Sequence, residues 1–141
     1  MTSLSQFTLV LFLSLFLISS LPPSQAFFSE VWIKRHVHII NDLPGDMMLH
    51  CKSGDDDLGA RTLHQGEEQV ITFKMNFFGS TLFFCSARRE WRFRSFDVFT
   101  EERDKYRCRG DCKWSLRNDG IYFSNNGTAW DREYWWEYAM P

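Results

Sequence analysis

The sequence predicts an all-β protein, a small antiparallel β-sandwich of about seven to nine strands closed by two disulfides. Three observations carry that prediction. Apolar residues recur with a period of two over most of the chain after Ala26, turn chemistry interrupts those runs, and four cysteines stand among them. No longer stretch places its apolar residues at the period of a surface helix.

Phe7 to Ile18 is an apolar run, followed by Ser19-Ser20-Leu21-Pro22-Pro23 and the small residues Ser24 and Ala26. This is the make-up of a secretory signal peptide over 1–26, since a membrane-spanning helix needs about 20 apolar residues. One domain is therefore expected over 27–141, secreted and extracellular, with no membrane insertion after cleavage. All 16 Lys and Arg and all 18 Asp and Glu lie in it, for a formal net charge of −2, so no global positive field draws the chain to nucleic acid.

Taken in order, Val31, Ile33, Val37 and Ile39 alternate with Trp32, Lys34, His36 and His38, the pattern of a half-buried strand ending near Asn41. Asn41 to Asp46 contains Pro44-Gly45, which predicts a hairpin into the next strand. There Met47, Leu49 and Cys51 share one face and Met48, His50 and Lys52 the other. Ser53-Gly54 breaks this strand, and Asp55, Asp56 and Asp57 cannot be buried together, so they form a solvated acidic turn that can hold Lys52 or Arg61. Arg61 to Leu63 is a short extended piece, and Gln69, Ile71, Phe73 and Met75 mark another strand.

After a turn at Asn76-Phe77-Phe78-Gly79-Ser80, the apolar run Thr81 to Ala87 predicts a central strand covered on both faces, with Cys85 in the core. Trp91 to Arg94 alternates rings and arginines, and the strand expected there has rings inward and arginines in water. Thr100 to Arg107, with Glu102, Arg103 and Lys105, is a charged loop or one helical turn. Asn118-Asp119-Gly120 predicts a type I′ hairpin and Asn125 to Thr128 a second turn carrying a glycosylation sequon at Asn126. The last strand, Trp130 to Tyr138, is crowded with rings.

Cys51, Cys85, Cys108 and Cys112 are even in number and lie in the secreted part, which implies two disulfides with three possible pairings. Zinc is disfavoured because no Cys-x-x-Cys occurs. Loop entropy favours two long-range bridges: joining Cys51 to Cys112 contributes about 4 kcal/mol and joining Cys85 to Cys108 about 3 kcal/mol.

The chemistry-bearing residues give no enzyme signature. His36 and His38 are two apart on one strand face, but with His50 and His64 elsewhere strand spacing alone does not bring three ligands, or an acid and a base, together. Three adjacent aspartates do not distribute oxygens around a calcium ion, and no nucleophile, phosphate-loop or zinc-protease motif occurs. No cofactor or metal is expected. Two rivals to a recognition module can be drawn: a small secreted hydrolase or toxin-like effector using His50 with Asp55 to Asp57, and a cell-wall carbohydrate binder using Trp130, Trp135 and Trp136 with Arg132.

Several segments together resemble the plant self-incompatibility protein family, or S-protein homologues. They are Val37, Ile39, Asn41 and Leu43; His50-Cys51-Lys52-Ser53 with Asp55-Asp56-Asp57-Leu58-Gly59; Thr81-Leu82-Phe83 with Cys85; and Phe96-Asp97-Val98-Phe99. Arg103-Asp104, Cys108, Cys112 with Trp114, and Asp119-Gly120-Ile121-Tyr122 complete the pattern, which covers roughly Val37 to Trp136. The resemblance implies a secreted, disulfide-bonded β-sandwich that acts without catalysis as an extracellular ligand for a cell-surface receptor. It makes Cys51, Cys85, Cys108 and Cys112 the disulfide cysteines and Trp114 a core residue. A monomer is expected, with partner-binding loops at Asp42 and Asp46, at Asp55, Asp56 and Asp57, and at Glu102 and Lys105, because binding concentrates on loops of a rigid scaffold.

Overall fold

Among the described residues the chain builds ten strands and, besides a turn at Glu30 and Val31, one four-residue helical turn: β1 (Arg35–Asn41), β2 (Met47–Ser53), β3 (Asp57–Leu63), β4 (Glu68–Phe73), β5 (Leu82–Arg89), β6 (Arg92–Thr100), α1 (Glu101–Asp104), β7 (Asp111–Arg117), β8 (Gly120–Ser124), β9 (Asp131–Tyr134) and β10 (Glu137–Tyr138). The computed structural model describes residues 30–140 and Val10. The signal peptide expected over 1–26 lies, Val10 apart, outside the described residues. The strands form two five-stranded sheets, ordered β4-β1-β7-β8-β9 and β10-β6-β5-β2-β3. This is the expected all-β sandwich. All neighbouring pairs are antiparallel except β1 and β7, which run parallel. The expected last strand divides into β9 and the two-residue β10, which raises the count.

The core lies between the sheets. Trp114 is fully buried at its centre and donates its indole N–H to the Val98 carbonyl at 2.9 Å. Phe96 and Phe123 pack edge-on against it at 5.6 and 5.1 Å. Cys85 is buried as expected, but β5 has only one covered face: Leu82 and Phe84 remain 39% and 36% exposed on the other.

Several local expectations are corrected. β1 begins at Arg35, not Val31, because Glu30 and Val31 sit in a helical turn. Arg35 is fully buried and donates to the Glu30 carboxylate at 2.9 Å and to the Cys108 carbonyl at 2.7 Å. β1 and β2 do not form a hairpin but belong to different sheets, and residues 42–46 arch between them. The arch is held by Asn41, whose buried amide donates to the carbonyls of Gly45 and Leu63, both at 2.8 Å, and accepts from the Leu43 N–H at 3.0 Å.

The phase of β6 is also opposite to expectation. Arg94 lies opposite buried Ala87 and stacks its guanidinium on Tyr134, whereas Phe93 shares the outer face with Arg88, and Trp91 is 54% exposed in the turn between β5 and β6. A period of two fixes alternation but not its phase. The β7–β8 turn is not type I′: Asn118 and Asp119 keep negative φ, and the positive φ of 150° falls on Gly120. A Cβ at Gly120 would stand 2.7 Å from the Tyr134 carbonyl oxygen, so only glycine fits where β8 meets β9.

The disulfides are Cys51–Cys85 and Cys108–Cys112, not the two long-range bridges that loop entropy favours. Cys51 and Cys85 are direct partners in the β2–β5 register, with Cα atoms 4.0 Å apart. The entropy model assigns this bridge about 4 kcal/mol as well, so it never separated Cys85 from Cys112 as the partner of Cys51. Geometry decides.

Two stability outcomes follow. Replacing Cys51 and Cys85 together by alanine is expected to lower urea-unfolding stability by about 4 kcal/mol, and replacing Cys108 and Cys112 by about 2 kcal/mol. Asn41→Leu leaves two carbonyls and one N–H without partners and is expected to lower stability by about 3 kcal/mol, visible as a reduced urea midpoint.

Candidate functional site

Strand directions place the expected binding loops at opposite ends of the sandwich. The arch with Asp42 and Asp46 lies at the end where β1 and β7 finish, and the Asp55 to Asp57 turn and the Glu102–Lys105 segment lie where β2 and β6 finish. They do not converge on one surface.

At the arch end the acidic side chains serve the fold. The Ser115 hydroxyl donates to Asp42, and Asp46 pairs with the His64 ring at 2.6 Å. The Arg89 guanidinium packs against Gly45, where any Cβ would collide with it, so this glycine admits no side chain without displacing the arginine.

At the other end the three aspartates divide their work. Asp57 is structural: it pairs with His50 at 2.6 Å, accepts from the Gly59 N–H at 2.9 Å and stands 3.9 Å from Lys52. The Asp56 N–H bonds the Ser53 hydroxyl at 3.0 Å, which closes the turn. The carboxylates of Asp55 and Asp56 make no ion pair among the described residues and line a cleft of about 320 Å³ with Lys74, Asn76, Thr81 and Phe83. Among the described residues no group of three or more His, Cys, Asp or Glu side chains is placed to hold a metal ion.

Between two residues that line the cleft, Asn76 and Ser80, runs a loop with an aromatic tip that sequence reasoning missed. Asn76 braces its loop: its side-chain oxygen accepts from the N–H groups of Phe78 and Ser80 at 3.1 and 3.2 Å, while its own N–H donates to the Thr81 hydroxyl at 2.8 Å. The loop thereby presents Phe77 and Phe78, the latter 93% exposed. Trp32, 64% exposed, meets Phe77 edge-on at 6.2 Å. The available signal was two adjacent phenylalanines bracketed by Asn and Gly in a turn, where large rings have no core to fill.

Of the charged loop or single helical turn expected over 100–107, the structure shows the helical turn at Glu101–Asp104, and much of the segment is built into the fold. Thr100 caps α1 by accepting from the Arg103 N–H, and Asp104, fully buried, accepts from the Thr100 N–H at 2.9 Å. Arg103 joins Asp104, the Asp97 carbonyl and the Tyr134 hydroxyl, and Arg107 joins Asp104 to Glu133. Burial opposes charge on Arg103, but Asp104 and Tyr134 outweigh it and raise its pKa above the ordinary value. Glu102 stays exposed, and Lys105 lies beside Tyr106.

The His50–Asp57 pair lies on the open outer face of β2, outside the cleft lined by Asp55 and Asp56. Ser86 is opposite His50 in register, yet no hydrogen bond joins them. Trp130 is half-buried and Trp135 exposed, but Trp136 is buried and donates its indole N–H to the Arg117 carbonyl at 2.7 Å, which removes it from any surface site. Asn126 is exposed in the β8–β9 turn, where its side-chain oxygen accepts from the N–H groups of Thr128 and Ala129.

Comparison with known proteins agrees with this architecture. The family model for plant self-incompatibility protein S1 matches residues 36–136. The chain belongs to that family. Among curated Arabidopsis thaliana relatives, S-protein homolog 2 is 40% identical over 114 residues, covering 76% of this chain and 71% of that protein. S-protein homolog 24 is 41% identical over 87 residues, covering 61% of this chain and 57% of the relative. A solved self-incompatibility protein homologue structure superposes with a TM-score of 0.60 at 22% identity, covering 73% of this chain and 94% of the other. That structure is described as one of a widespread family of small, highly stable, secreted proteins from plants.

The exposed pairs set a pH window. Donating to the Asp46 carboxylate raises the pKa of His64 above 6.5, so its stabilising effect is full below that pH and is lost as pH rises through the folded value. The hydrogen bond from His50 lowers Asp57 below 3.8, so its effect is present above that pH and is lost as pH falls through the folded value. His64→Gln is therefore expected to lower the urea midpoint at about pH 5 and not at about pH 9, and Asp57→Asn to lower it more at about pH 5 than at about pH 2.

Proposed function

We propose that this chain is a non-enzymatic, monomeric extracellular ligand read by a cell-surface receptor, and that it presents the end bearing Asp55, Asp56, Phe77 and Phe78. The supporting observation is the Asn76-braced loop, which holds Phe78 almost fully in solvent at the same end of the sandwich as the Asp55 and Asp56 carboxylates, which make no ion pair among the described residues. A rigid aromatic anchor accompanied by unpaired charge is the make-up of an interface hot spot, where burial of the ring supplies affinity and the carboxylates select a complementary partner. Family membership supports the same reading, since self-incompatibility is a cell-recognition process. Cleavage of residues 1–26 would deliver the domain to the outside, and a glycan on Asn126 would stand at the β8–β9 side of this end, away from Phe78.

Labelled mature protein is expected to bind plant plasma membranes saturably at micromolar concentration. Phe78→Ser and the double change Asp55→Asn with Asp56→Asn are each expected to weaken binding about tenfold with melting temperature unchanged, while Asp42→Asn at the other end leaves it intact. Non-saturable binding, or equal losses from both ends, would sink this assignment.

A further inference from the structure

The outer face of the β4-β1-β7-β8-β9 sheet carries a ladder of rings and guanidinium groups that the receptor-facing end does not use. Arg117 closes β7, Tyr122 lies in β8, and Arg132 stands opposite Tyr122 in β9. The Arg117 guanidinium carbon is 4.4 Å from the Tyr122 ring centroid and 5.0 Å from that of Trp130. The Arg132 carbon is 3.4 Å from the Trp135 centroid, and Trp135 is 63% exposed.

The cations here are incompletely answered. Arg117 donates from Nε to the Ser115 hydroxyl at 2.9 Å, but its two terminal nitrogens make no hydrogen bond and no ion pair among the described residues. Lys113, on the same face of β7, makes no ion pair among them either. The carboxylates on this face are already engaged: Asp119 accepts from the Tyr122 hydroxyl at 2.6 Å and stands 3.6 Å from Arg132, Asp42 accepts from the Ser115 hydroxyl, and Asp111, two residues before Lys113, pairs with His38 at 2.9 Å. The face is therefore mixed in charge, and what it leaves open is the Arg117 guanidinium fork, stacked on rings with its terminal nitrogens free among the described residues.

Flat rings alternating with forked donors match one ligand chemistry. An indole or phenol face takes the C–H face of a pyranose, and a guanidinium fork takes a carboxylate through two parallel hydrogen bonds. Trp130 and Trp135 stand five residues apart along one strand direction, roughly 16 Å, which spans more than a single sugar. A neutral glycan would leave the arginines unused, and an anionic polymer without sugar rings would leave the aromatics unused. We propose that this face binds a uronic-acid polysaccharide, independently of the receptor-facing end.

The test measures binding of the mature protein by calorimetry in about 0.15 M salt to polygalacturonate, to its fully methyl-esterified form and to poly-glutamate. Polygalacturonate is expected to bind, the esterified polymer at least about tenfold more weakly, and poly-glutamate not measurably. Trp135→Ala and Arg117→Gln are each expected to weaken polygalacturonate binding about tenfold with melting temperature retained, and Phe78→Ser to leave it unchanged. Absence of polygalacturonate binding, equal binding of poly-glutamate, or full binding by both folded ladder variants overturns the proposal. Loss of membrane binding in Phe78→Ser beside intact polygalacturonate binding would separate the two surfaces.

Discussion

A sandwich requires the chain to leave one sheet and enter the other, and each crossing strips backbone groups of their ladder partners. Asn41 answers that demand at the point where β1 becomes the arch. One sealed amide satisfies the Gly45 and Leu63 carbonyls and the Leu43 N–H, so the arch and the end of β3, in the other sheet, are tied to a single side chain on β1. With the arch fixed, Leu43 is driven into the core, β2 enters the second sheet in register, and Cys51 arrives opposite Cys85. The buried Glu30–Arg35 pair does comparable work at the start of β1, where Arg109 also reaches the Glu30 carboxylate at 2.7 Å. Removing one partner of such a pair leaves a charge in the interior, which is why these residues act together.

Most strands were legible in the sequence because alternation is a local property. Val37 and Ile39, Leu49 and Cys51, and Trp114 and Leu116 all fall on the buried face that their spacing predicts. Alternation says which way a side chain points and nothing about which strand lies alongside. That is why the Pro44-Gly45 turn reads as a hairpin although it is an arch, and why the cysteine pairing follows from the β2–β5 register and not from spacing. Arg35 was illegible for another reason: a guanidinium at the end of an amphipathic strand reads as solvated until Glu30 and the Cys108 carbonyl are brought to it by tertiary packing.

The site was half legible. The acidic turn stood out, yet composition could not divide its three carboxylates into one that braces the turn, Asp57, and two that face the cleft, Asp55 and Asp56. The Phe77-Phe78 tip lay hidden inside what reads as an ordinary turn. Conversely, Trp136 looked like a surface ring beside Trp135, but opposite directions along an extended segment send it inward to cap the core.

The bracing of the Phe77-Phe78 loop by Asn76 and Thr81, and of the acidic turn by Ser53, is confined to each loop and its stem. No core side chain depends on what the tips display. Mutation can therefore exchange the displayed residues one at a time while folding stays unaffected, so a single ancestral scaffold can be copied and its duplicates driven toward separate identities under selection acting on the tips alone.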